Sequence, residues 1–337
     1  MLCFQAPLAF SGSHRSVLAA VTTLAAGLVA VTPVWAQSSA APVSHAEPPV
    51  LEQVVLGSGG PGATGRAGAS HAILLDGRPR ILVDAGPGAF VRAGEAKLNL
   101  AELDTVLLTH LHVDHAGGLS GLVKARAVGT RGAITFKVFG PDGVKATGKG
   151  SDAFASFPST KRYIDLLFGA NNTFGYLKDF AAPITFKVSN LRANPKTQNM
   201  PMTIVKKDGL TISAIAGHHR DAPAVIYRVD YKGKSITFSG DIDPAGHANL
   251  RRIARGSNLL VFNSVVLDPP GSPEILYTLH TAPQDIGWIA KDVAPDKLLL
   301  SHLSPYLDRA QDAVTASISQ NYRGPIEFAQ DGMRLVP

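Results

Sequence analysis

Three histidines and an aspartate fall within six positions of the stretch LLTHLHVDHAGG, residues 107 to 118: His110, His112, Asp114 and His115. Imidazole nitrogen and carboxylate oxygen are ligands that zinc prefers, and two ions about 3.5–4 Å apart can hold one hydroxide between them. The cluster directly follows the apolar run Val106-Leu107-Leu108, which places it on a strand end. An extended segment sends alternate side chains to one face, so His110 and His112 point the same way, while Asp114 and His115 lie where the chain turns. A polar loop with scattered histidines is the alternative, but it would need a partner for every buried nitrogen.

The surrounding elements must hold this loop in place. LEQVVLGSGGPGATGRAG reads as a strand and a glycine-rich turn. Gly57, Gly59, Gly60 and Gly62 miss the GxGxxG register and no helical pattern follows at once, so a dinucleotide loop is excluded. SHAILLDG and RPRILVDAG are strands joined at Asp76-Gly77, a tight hairpin turn, and Asp84 closes the second. His71, in the first of these runs, is expected to be packed or exposed rather than a ligand. A helix is predicted from Ala89 to Ala96, then the metal-loop strand. Beyond the loop, Leu119, Leu122, Val123 and Val128 mark one face of a helix whose start aims backbone N–H groups toward the site, and ITFKVFGP is a further strand.

Residues 141 to 200 form a Gly/Asn/Lys-rich region with one predicted helix, Thr160 to Phe168. Its aromatics Phe154, Phe157, Tyr163, Phe168, Phe174 and Tyr176 could line a substrate entrance, although the helical spacing of Tyr163, Leu167 and Phe168 reads more simply as core. LTISAIAGHH and AVIYRVDYKGKSITFSGD return to strands, with Lys232-Gly233 turning a hairpin. His218 and His219 are neighbours, so only one reaches a given metal. Asp241 ends the hairpin, and Asp243 caps a helix from Pro244 to Arg255 that carries His247 on its surface. NLLVFNSVV is a buried strand, His280 precedes a helix opened by Thr281 and Pro283, His302 follows the strand in KLLLSHLSP, and IEFAQDGMRLVP closes as a strand pair.

The 337 residues are 45% hydrophobic, enough for a sizeable core, and disorder is not the default. Formal charge is +6, and Arg15 is the only Lys, Arg, Asp or Glu in the first 36 residues, so the chain from residue 37 carries +5. This mild excess favours anionic substrates or surfaces, while no Lys/Arg-rich run or basic-aromatic stripe marks a nucleic-acid patch. Arg15, the apolar segment Val17 to Val31 and the small residues around Val34-Trp35-Ala36 read as a signal peptide over residues 1–36, followed by a flexible lead-in, 37–50, and one domain, 51–337. Cleavage would remove the single cysteine, Cys3, leave no stable membrane anchor and send the protein to the periplasm or outside the cell.

The HxHxDH arrangement of residues 110–115 resembles the signature of the metallo-β-lactamase superfamily, and the resemblance extends over further motifs in order. Its third histidine corresponds to His219 in AGHHRDAPAVIYRV, its bridging aspartate to Asp241 in TFSGD, and its last histidine to His302 in LLLSHLSP. The LGSGGP opening, PAVIYRV, SGD and LHTAP are similar to the ribonuclease Z and arylsulfatase branch. The resemblance implies an α+β, four-layer αββα sandwich in which Asp84 braces the metal loop and the glycine-rich turn lies at the rim of the site.

One divalent ion, zinc, would be held by His110, His112 and His219, a second by Asp114, His115 and His302, with Asp241 and a hydroxide between them. The side chains implied to act in the reaction are Asp114 and His280, the latter protonating the leaving group from a setting like the family's HST histidine. Diiron relatives carry glutamate where this chain has His112, which favours a redox-inert hydrolytic pair. Bacterial tRNA-processing members insert a long arm between the third histidine and the bridging aspartate, but only 22 positions separate His219 from Asp241 here. FNSVV also lacks the His-Glu pair of many relatives. The expectation is an exported metal-dependent hydrolase of phosphodiesters or related anionic esters; a ring-opening lactonase or β-lactamase-like enzyme, and a metal-binding protein without turnover, are the alternatives.

Overall fold

The computed structural model describes residues 47–62, 64–148, 155–180, 183–220 and 222–337. The expected signal peptide, most of the lead-in, Cys3 and Phe154 lie outside the described residues.

Among the described residues, fourteen strands build two sheets of seven. The first contains β1 (Leu51–Gly57), β2 (Ser70–Leu75), β3 (Arg78–Val83), β4 (Thr105–Leu107), β5 (Ile134–Pro141), β6 (Ile184–Leu191) and β14 (Arg334–Leu335), in the order β14-β1-β2-β3-β4-β5-β6. The second contains β7 (Met202–Lys207), β8 (Leu210–Ala216), β9 (Val225–Tyr231), β10 (Lys234–Phe238), β11 (Leu259–Asn263), β12 (Lys297–Ser301) and β13 (Ile326–Phe328), in the order β13-β12-β11-β10-β9-β8-β7.

Side chains of opposite parity on a strand face opposite sides, and both sides are buried here. Val55, Ile73, Ile81 and Leu107 of the first sheet meet Ile212, Tyr227, Ile236 and Val261 of the second in the central core. Val54, Leu56, Leu82 and Val106 face outward instead, against α1 (Ala89–Glu95), α3 (Leu119–Val128) and α4 (Thr160–Phe168). On the other side, Ile226, Leu260 and Leu298 pack under α5 (His247–Ala254), α7 (Pro283–Val293) and α8 (Gln311–Ile318). The result is the αββα sandwich. Two single-turn helices, α2 (Val113–Ala116) and α6 (Glu274–Tyr277), complete the set.

The predicted hairpin turns form, with Asp76-Gly77 and Lys232-Gly233 both at positive φ as a tight turn between twisted strands requires. The predicted 244–255 helix is a 3-10 turn, Pro244–Gly246, continuing into α5, with Asp243 accepting the Ala245 N–H at its start. Two expectations need correction. The region 141–200 holds a strand as well as a helix: β6 repeats the ITFKV of β5, and the two copies lie side by side in register, Ile134 against Ile184. The final segment makes two strands that do not pair together, since β13 joins the second sheet beside β12 and β14 joins the first beside β1.

Several strands end at one rim. Asp84 follows β3, the histidine loop follows β4, His219 follows β8, Asp241 follows β10, Asn263 ends β11, and His302 follows β12. Carboxyl ends of parallel strands are where open α/β sheets place ligands.

Candidate metal centre

The loop after β4 is fixed before any ligand is considered. Asp84 accepts the Thr109 N–H at Oδ1 and the Thr109 hydroxyl at Oδ2, both at 2.7 Å, and Oδ2 also meets His115 Nδ1 at 2.8 Å. Asp84 is buried at φ 56, a left-handed conformation uncommon for aspartate; Ser70 donates to its carbonyl and its own N–H donates to Leu107. Tyr227 donates to the Leu108 carbonyl and Tyr163 to the Ala116 carbonyl, tying both ends of the loop down. Gly86 lets the backbone pass beneath, because a Cβ there would sit 2.3 Å from the Asp114 carbonyl oxygen.

All seven side chains named from the sequence converge. His110 Nε2 lies 3.1 Å from His112 Nδ1, and these two group with His219. His115 Nε2 lies 2.9 Å from His302 Nε2, which is 3.2 Å from Asp114 Oδ2. Asp241 Oδ2 stands in the middle: it is 3.5 Å from His115 Nε2 and from His302 Nε2, 3.7 Å from His219 Nε2, 3.8 Å from His280 Nδ1 and 3.9 Å from His110 Nε2. Its other oxygen accepts from Asn263 Nδ2 at 2.7 Å. Asn263 was not singled out from the sequence, where its only signal is its place at a strand end near the rim.

The donor chemistry fits cations. His219 Nδ1 faces the Leu279 carbonyl at 2.8 Å, which can only accept, so Nδ1 carries the hydrogen and the neutral ring presents a bare Nε2. His115 is oriented in the same way, since its Nδ1 donates to Asp84 and its Nε2 faces the centre. Bare nitrogens aimed at a carboxylate oxygen repel it unless positive charge lies between. A tetrahedral ion with bonds of about 2.0–2.1 Å holds its ligand atoms about 3.3–3.4 Å apart. The observed 3.1 and 3.2 Å separations are close to that spacing.

Titration follows the same logic. Burial lowers His110 well below the ordinary histidine range and also lowers His112 and His219. Burial would lower His115 too, but the Asp241 and Asp84 carboxylates outweigh it and raise it well above that range. Burial opposes ionisation of Asp241, yet the surrounding imidazoles, His302 and His115 first, hold its carboxyl well below the usual range. Asp114 likewise falls to about 2, with the His302 hydrogen bond overcoming burial.

The remaining histidines separate by surroundings. His280 is buried with Nδ1 unpartnered, and burial lowers it to about 3. His71 is packed as expected, bonded to Gln53 and against Phe238. His218 is absent from the cluster and pairs with Asp243 at 2.6 Å. His247 is buried rather than on the surface: the helix lies with this side inward, and Nε2 meets the Thr281 hydroxyl at 2.9 Å. Of the aromatics, Phe168 is core, Tyr163 tethers the loop, and Phe157 lies 5.6 Å from the His112 ring. Gly60 explains the glycine-rich turn, because a Cβ there would sit 2.6 Å from the His302 carbonyl oxygen and 2.8 Å from its Nδ1. Asp114 borders one cavity of about 540 Å³ and His218 another of the same volume.

The profile of the metallo-beta-lactamase superfamily matches residues 65–278. Ribonuclease Z of Mycobacterium avium (strain 104) is 28% identical over 299 residues, covering 85% of this chain and 98% of that protein. Among solved structures, the short form of human tRNase Z aligns with a TM-score of 0.62 at 18% identity over 85% of this chain and 99% of its own. A diphosphatase from the PhnP family aligns at 0.53 and 18% identity, over 85% and 97%.

Proposed function

Because the chain belongs to the metallo-beta-lactamase superfamily, we propose that it is an exported two-zinc hydrolase of small phosphodiesters or closely related anionic esters. The observation that carries this reading is Asp241 Oδ2, set within 3.5–3.9 Å of five imidazole nitrogens contributed by both halves of the cluster. His110, His112 and His219 would hold one ion and Asp114, His115 and His302 the other, with Asp241 shared. When bound, the ions supply a water acidified toward neutral pH and positive charge against the anion that develops on the ester.

The chain's own groups do the rest. Asp84 keeps the His115 hydrogen on Nδ1, and the Leu279 carbonyl does the same for His219, so each ring offers Nε2 to the centre. Asn263 fixes the Asp241 carboxylate by holding Oδ1, which leaves Oδ2 directed inward. Burial keeps His280 neutral at pH 7, so it enters the reaction as an imidazole whose ring N–H can donate to the leaving oxygen. Export is supported by the Arg15 and Val17 to Val31 pattern.

The curated relative named above is a ribonuclease Z, yet a small ester suits this chain better than tRNA. Supporting this, the 22 positions between His219 and Asp241 are taken up largely by the β9–β10 hairpin. The test is hydrolysis of bis-p-nitrophenyl phosphate, p-nitrophenyl sulfate and an acyl-homoserine lactone by the zinc-loaded protein from residue 37 onward. Diester cleavage that falls about 10²–10³-fold in His280→Ala, the cost of losing a hydrogen-bond donor to developing charge, supports the proposal. Lactone opening that survives His280→Ala would replace it with a ring-opening hydrolase, and silence on all three with metal bound would leave a metal-binding protein.

A further inference from the structure

The cavity bordered by His218 presents two exposed cations on its wall. Its wall comes from the loop after β6, residues 192–197, and from the loop that carries His218 and His219. Arg192 and Lys196 contribute these cations, and the lining carboxylate Asp142 accepts the Ala193 N–H at Oδ1. Asp243 is committed to the His218 ring and the Arg220 N–H. Among the described residues neither Arg192 nor Lys196 is in an ion pair, and both are exposed.

The wall is held by backbone hydrogen bonds, two sets of which tie it to segments next to the metal cluster. Asn194 shapes the loop: its side chain accepts the Lys196 N–H at 3.0 Å, and its carbonyl accepts those of Thr197 and Gln198 at 3.1 and 2.8 Å. Val144, in the cavity wall, exchanges backbone hydrogen bonds with Phe157, the residue beside His112. Ala222, also in the wall, donates to the His219 carbonyl. Exposed cations outside any ion pair attract anionic groups, and guanidinium and ammonium groups bind phosphate through charge-assisted hydrogen bonds.

We propose that Arg192 and Lys196 hold a second phosphate of the substrate, so that the preferred ester is a small phosphodiester that also bears a phosphomonoester. This rests on the phosphodiesterase reading above and narrows its substrate class. The experiment compares thymidine 5′-(p-nitrophenyl phosphate) with its 3′-phosphorylated counterpart, using the zinc-loaded protein in about 0.15 M salt, near physiological screening. The 3′-phosphate is expected to lower KM roughly tenfold. The Arg192→Ala/Lys196→Ala double variant should lose that ratio while its kcat/KM for bis-p-nitrophenyl phosphate stays within about twofold, as expected for removal of a contact that diester does not make. Equal KM values for the two esters, or a ratio that survives the double substitution, overturns the proposal. Calorimetric binding of thymidine 3′,5′-bisphosphate against thymidine 5′-monophosphate repeats the comparison without turnover. Failure to hydrolyse either ester would therefore defeat the phosphodiesterase reading, while the binding ratio would still decide whether the second-phosphate site exists.

Discussion

Each sheet joins its strands by three antiparallel pairings followed by three parallel ones, yet the two arm the site in different ways. The first delivers His110, His112, Asp114 and His115 from a single loop after β4, while the second delivers His219, Asp241 and His302 from three separate strand ends. The loop is held by neighbours close in sequence, with Asp84 only 25 positions from Thr109. The second set meets the first across 187 positions, as His115 meets His302, and depends on the register of the whole sandwich. Local hydrogen bonds thus define one half of the centre, and global packing defines the other.

Substitution of the group that joins the halves should have the largest effect. Asp241→Ala removes the oxygen shared by five imidazoles, and its turnover should fall by more than the roughly 100-fold that loss of an outer partner costs, with bound metal reduced in elemental analysis. Retention of both metal and turnover would mean that the halves work independently. Removal of the brace on the local half comes next: Asp84→Asn should weaken metal binding or turnover by about 10–100-fold, read in a chelator competition. Asn263→Ala is the matching change on the other half. It frees one oxygen of Asp241 and should cost about tenfold in the same competition.

The contrast also explains what could be read in advance. The local half was legible because four ligating residue types crowd six positions, and Asp84 stands at the end of an apolar run. His219, Asp241 and His302 are single residues on separate strands, and only their order relative to a resembling family marked them. Asn263 escaped because a lone asparagine at a strand end has no periodic signal. His247 was misplaced because its helix lies with that side against Thr281, a tertiary contact 34 positions away. β6 was missed as an edge strand whose alternating exposure resembles a polar loop, although its ITFKV copy of β5 was visible.

The smallest effect concerns the His218–Asp243 pair, which supports the loop of the second half. The hydrogen bond to Asp243 raises His218 above 6.5; burial pushes Asp243 up, but the His218 and Arg220 contacts outweigh it and its pKa falls below 3.8. The His218 contribution is complete below pH 6.5 and is lost as pH rises through the raised value. The Asp243 contribution is present above pH 3.8 and is lost as pH falls through the lowered value. His218→Gln should therefore destabilise most between these pH values, by about 1 kcal/mol or less because the ring is partly exposed. Denaturant melts at pH 5 and pH 9 check this, and a larger difference at pH 9 would contradict it.

The central claim is that both halves close on two ions around one carboxylate, and calorimetric zinc titration of the chelator-stripped protein tests it most directly. The account predicts two equivalents in the unaltered chain and one in His302→Ala, which leaves His110, His112 and His219 intact. A single equivalent in the unaltered chain, or two in the variant, would contradict it.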